Sequence, residues 1–140
     1  MRFRSLALAL TLFAAPTLAQ NCSTLSITAD EETISLELTG SSAEASTFLA
    51  VGDTLGATDF AFGPLGGFTL DLAAPFAILP MGATDADGNI STSFDLPTTL
   101  GFDLNAQAVS ADLVLNIPPT PGELPITLEF CTSNVEALSL

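Results

Sequence analysis

Beyond Arg4 the chain has no lysine, arginine or histidine, and it has no tryptophan or tyrosine anywhere. Each absence removes a class of function. Nucleic acid and anionic lipid are excluded as natural partners, because both are held by cationic side chains that neutralise phosphate. A serine nucleophile would have no His or Lys as its base, and a pair of carboxylates would lack the groups that usually steady a developing charge. Sugars would find no Trp or Tyr to stack on. A carboxylate-only hydrolase is thus the most distant of the readings, and the chain is read as a non-enzyme.

Acid and apolar side chains are what remain. The 140 residues hold sixteen Asp and Glu against Arg2 and Arg4, for a net charge of −14, yet 48% of them are hydrophobic. The apolar share separates this chain from disordered polyanions. Ten Phe, with Leu, Ile, Val and Ala, supply the material of a core. With no cation beyond Arg4 to pair with, the carboxylates repel. Stability should therefore rise with salt and fall as pH rises through their titration. The partners that suit such a surface are divalent cations or a basic protein or envelope component.

Residues 1–19, MRFRSLALALTLFAAPTLA, have the form of a secretory signal. Arg2 and Arg4 make the charged start, Leu6 to Phe13 the apolar run, and Thr17 and Ala19 the small residues of a cut before Gln20. The apolar run is too short to insert as a membrane-spanning helix. Residues 20–140 are expected to form one domain, large enough for a core of its own, secreted to the periplasm or exterior, free or held at the cell surface. In that setting Cys22 and Cys131 are read as a disulfide. Each lies on the parity opposite its strand's apolar residues, so both should face away from the main core.

A period of two dominates the rest. In "TISLELT" Ile34, Leu36 and Leu38 alternate with Ser35 and Glu37; in "ISTSFDL" Ile90, Thr92, Phe94 and Leu96 alternate with Ser91, Ser93 and Asp95. In "LGFDLNAQAV" Leu100, Phe102, Leu104, Ala106 and Ala108 share a face, leaving Gly101, Asp103, Asn105 and Gln107 outside. Further strands are expected at 25–28, 47–51, 68–72, 76–79, 111–117, 123–130 and 135–140. Between them stand turn residues such as Gly52-Asp53, Gly56, Gly63-Pro64, Asp87-Gly88 and Pro118-Pro119. "SSAEAS" alone suggests a helical turn. The fold class is all-β, an antiparallel β-sandwich of about eight or nine short strands, with a barrel or jelly roll as the second choice.

One stretch invites a chemical reading. In "ATDADGNIST" Asp85, Asp87 and Asn89 set oxygen ligands at alternate positions, as a calcium loop does. The later positions break that pattern, since Ile90 stands where the loop glycine belongs and Leu96 where a bidentate Glu belongs. "DG" between two apolar runs is instead a hairpin signal. A turn is the first reading and a calcium-binding module the alternative; no other cofactor is expected. "GPLGG" at Gly63 to Gly67 lacks the lysine of a phosphate loop and is read as a turn. "NCS" at Asn21 and "NIS" at Asn89 match glycosylation sequons.

The run "FGPLGGFTLDLAAPFAILPMGATDADGNISTSFDLP", followed by "GFDLNAQAV" and "TSNVEALSL", resembles a family of small secreted bacterial all-β domains. These often form C-terminal modules of extracellular or envelope proteins, and no function is assigned to them. The matching positions include Asp85 to Gly88, Gly101, Leu104, Gln107, Ala108, Ser133 and Asn134. The resemblance implies a β domain with a structural, adhesive or interaction role.

Overall fold

The computed structural model describes residues 21–30, 32–95, 101–115, 117, 121, 122 and 124–140. The expected signal segment, the Pro97 connection and Pro118-Pro119 lie outside them. Nine strands are present among the described residues: β1 (Asn21–Ala29), β2 (Thr33–Thr39), β3 (Ser46–Gly52), β4 (Leu55–Ala61), β5 (Gly67–Leu72), β6 (Phe76–Ala83), β7 (Ile90–Asp95), β8 (Asp103–Leu115) and β9 (Ile126–Ser139). Seven form one sheet in the order β6-β3-β8-β9-β1-β2-β7, curled until it nearly closes like a barrel; β4 and β5 form a small second sheet. The fold is all-β, as expected. All pairs in the large sheet are antiparallel except β1 with β9, which run parallel. A wholly antiparallel arrangement is thus corrected at that one seam.

Alternation explains the interior. On β2, Ile34, Leu36 and Leu38 are buried while Ser35 and Glu37 are exposed, and the strand pairs with β1 on one side and β7 on the other. Leu25, Leu49, Ala106, Ala108 and Leu138 join them in a core inside the curled sheet. The Asp103–Leu115 segment, read as two strands, is one strand of 13 residues, and the last strand likewise runs unbroken for 14. Both pass the irregularity that separated the two sequence patterns by a bulge between Gln107 and Val109, which lets a strand bend without ending.

The second core was not legible in the alternation. After β3 the chain leaves the large sheet, makes the β4–β5 hairpin and returns as β6 to pair with β3. The hairpin turns through a short 3-10 helix, Gly63–Leu65, with Pro64 in its first turn. It folds back on the sheet's outer face, where Leu70 and Leu72 pack with Ala50 and Val109. The outward parity of β8 is therefore covered there, and Gln107, expected outside, is fully buried. Strand β4 has no counterpart among the expected strands, and Gly56, expected as a turn residue, lies within it. The "SSAEAS" segment is a non-helical turn, in which Glu44 has φ +56°.

Candidate functional site

The "ATDADGNIST" segment joins the two edge strands of the large sheet. Gly88 adopts φ +80°, its amide donates to the Asp85 carbonyl at 3.1 Å, and the Asp85 amide donates to the Asn89 carbonyl at 2.8 Å. The turn is as expected, but the hairpin is not. Its flanking strands do not pair with each other; β6 pairs with β3 and β7 with β2.

Asp85 works within this loop: its Oδ1 accepts from the amides of Asp87 and Asn89, both at 2.9 Å. This is the way an Asx turn mimics backbone pairing. The Asp87 side chain is exposed and Asn89 is half-buried. Among the described residues no group of three or more His, Cys, Asp or Glu stands close enough to hold a metal ion. The loop docks on the 41–45 turn through Ser41 N to Gly88 O (3.1 Å), Glu44 N to Asp85 O (3.2 Å) and Ala45 N to Thr84 Oγ1 (2.8 Å).

Cys22 and Cys131 are joined in a disulfide across the parallel β1–β9 seam, with Cα atoms 5.6 Å apart. Cys22 is exposed, as expected. Cys131, expected to face away from the core, is instead buried to 8% exposure, though outside both apolar clusters.

A polar latch that the sequence showed only as a resemblance lies beside this seam. Gln107 accepts from Asp71 N at 2.7 Å and donates to Ser133 O at 2.9 Å and Asp71 Oδ2 at 3.1 Å. Ser133 Oγ accepts from Ala108 N at 2.8 Å. The Asn134 side chain accepts from Leu25 N (2.8 Å) and donates to Leu25 O (3.2 Å), so it pairs with β1 as a strand would. These groups satisfy the backbone where the bulge interrupts the ladder. They have a structural task.

The outer surface of the large sheet divides into two halves of opposite character. Over β1, β2 and β7 it carries Ser26, Thr28, Ser35, Glu37, Ser91 and Ser93, a hydroxyl-rich surface suited to water. Over β6, β3, β8 and β9 it is apolar around Ile78, Phe48, Ala50, Val109, Ala111 and Phe130. There a cleft of about 250 Å³ opens between the small sheet and the large one. Ala50, Leu70 and Val109 form its buried floor; Phe60, Phe62, Phe68 and Phe130 wall one side, and Phe48 and Ile78 the other. The rings support one another: Phe60 stacks on Phe68 at 4.8 Å between centroids and Phe62 on Phe130 at 5.4 Å. Phe48, Phe62 and Ile78 nevertheless remain 39%, 45% and 50% exposed.

The apolar surface continues along an arm. Among the described residues β3 pairs with β8 only as far as Ala111 and β1 reaches β9 only at Thr132, so there Asp112–Leu115 and Ile126–Glu129 pair with each other alone. Leu113 lies opposite Leu128 and Leu115 opposite Ile126, on the same face as Ala111 and Phe130. Leu113 and Leu115 are each 56% exposed. Sequence reasoning missed this surface because period-two patterning marks one apolar face per strand, and these residues alternate as a core strand does.

No protein-family model matches the chain, and no curated protein or solved structure is significantly similar to it. Among the described residues no helix is long and apolar enough to cross a membrane.

Proposed function

We propose that the protein is a non-enzymatic extracytoplasmic interaction domain, secreted or held at the cell surface, that engages its partner through the apolar outer face of β6, β3, β8 and β9. One observation carries this reading. The cleft and arm expose a continuous apolar surface on a sheet whose other half is covered by hydroxyls, and exposed apolar patches of this kind mark interaction sites. The signal-like segment at residues 1–19 and the disulfide support an oxidising, extracytoplasmic setting. The rigid double-layered β framework serves to present the face.

Site-specific photo-cross-linking in producing cells tests it. A cross-linking residue in place of Ile78 or Leu113 should trap a partner, while one in place of Ser35 on the hydroxyl half should not. Equal yields from both halves, or none from the apolar one, would reject the face as the binding surface.

A further inference from the structure

We infer that the occupant of this face is a basic segment of another protein, with aliphatic or aromatic side chains on one side and Lys or Arg on the other. The inference rests on the reading that the apolar face is the binding surface, and it adds the chemistry of what binds there.

Three observations point the same way. The cleft, at about 250 Å³, falls below the range of pockets that enclose a small-molecule ligand and suits an anchoring side chain or two. Beyond the cleft the arm offers a strip, Leu113, Leu115, Ile126 and Leu128, along which a segment can continue. The charge then selects among possible segments. Sixteen carboxylates and no cation beyond Arg4 leave the whole surface negative, so a second copy would set one uncompensated set of acids against another. On the arm's opposite face Asp112 lies directly across from Glu129, a like-charge cross-strand pair that disfavours the arm until a cation is brought to it. A partner with Lys or Arg flanking its apolar residues lowers the negative charge around the arm as it buries the strip.

The test is titration of the purified oxidised protein with three synthetic peptides of equal length, alternating Lys-Leu, Glu-Leu and Lys-Ser. The Lys-Leu peptide should bind at least about tenfold more tightly than either other peptide, since both the anchor and the charge are required. Ile78→Ser and Leu115→Ser, each at an exposed position and each checked for cooperative unfolding, should weaken it by about tenfold. Equal binding of Lys-Leu and Lys-Ser would reduce the effect to polyanion attraction and overturn the inference. So would equal binding of Glu-Leu, which would leave the apolar face intact as a binding surface but deny it a basic partner. Failure of all three peptides would overturn it too, and sedimentation showing a dimer dispersed by Ile78→Ser would identify a second copy as the occupant. Cross-linking from position 78 tests the face independently of charge, so the two readings fail separately.

Discussion

The Gln107 side chain grips Asp71 at two points, accepting from its backbone amide at 2.7 Å and donating to its carboxylate at 3.1 Å. Through this contact the small sheet is fixed on the large one, and the floor of the cleft is fixed with it. Gln107→Leu leaves the Asp71 amide and the Ser133 carbonyl without their partner and should cost about 1–3 kcal/mol by denaturant unfolding. Gln107→Glu should cost more at neutral pH, since it buries a carboxylate against another. Equal stability of both variants and the parent would mean that the latch does not hold the layers.

Ser23 gives the opposite expectation. It is 6% exposed, and its hydroxyl finds no hydrogen-bond partner. Ser23→Ala removes a desolvated polar group at nearly constant shape, so stability should stay level or rise by up to about 1–2 kcal/mol. A loss beyond about 1 kcal/mol would show that the hydroxyl is satisfied in solution.

The disulfide closes a loop with a sequence separation of 109. Replacing both cysteines by alanine should cost about 2–5 kcal/mol, most of it through the freedom restored to the unfolded chain. The double variant should therefore melt at a lower temperature with its strand content intact below the transition, as circular dichroism would show.

The 83–92 loop separates two acids of similar appearance. Asp85→Ala abandons two backbone amides and should cost about 1–2 kcal/mol, whereas Asp87→Ala, at an exposed side chain, should change stability by less than about 0.5 kcal/mol. Gly88→Ala should be worse than either, because a Cβ there meets the Ser41 carbonyl and φ is +80°. Near-neutral Gly88→Ala would mean that the loop does not dock on the 41–45 turn.

Salt should raise the melting temperature by screening the carboxylates. Calcium should do no more than magnesium at the same ionic strength, since Asp85 Oδ1 is already committed to two amides. A calcium-specific rise that disappears in Asp87→Ala would restore the loop at Asp85, Asp87 and Asn89 as a metal site.

Much of this fold is written in local alternation. Ile34, Leu36 and Leu38 declare a half-buried strand without reference to anything distant, because side chains on a strand point to alternate faces. The Cys22–Cys131 pairing followed from the count of two cysteines in a chain whose first residues read as a secretory signal. The excess of acid followed from composition alone, since no folding changes sixteen Asp and Glu against Arg2 and Arg4.

Tertiary structure alone decided which of the two faces of β8 and β9 would meet water. Gln107 reads as outward and is buried because β5, distant in sequence, is laid over it; Leu113 and Leu115 alternate as a core strand does and are exposed, beyond Ala111 where β3 stops pairing with their strand. The physical reason is the same in both cases. Alternation sets the side of a strand on which a residue lies, but what covers that side depends on the paths of other segments, and those are settled only when the chain has folded.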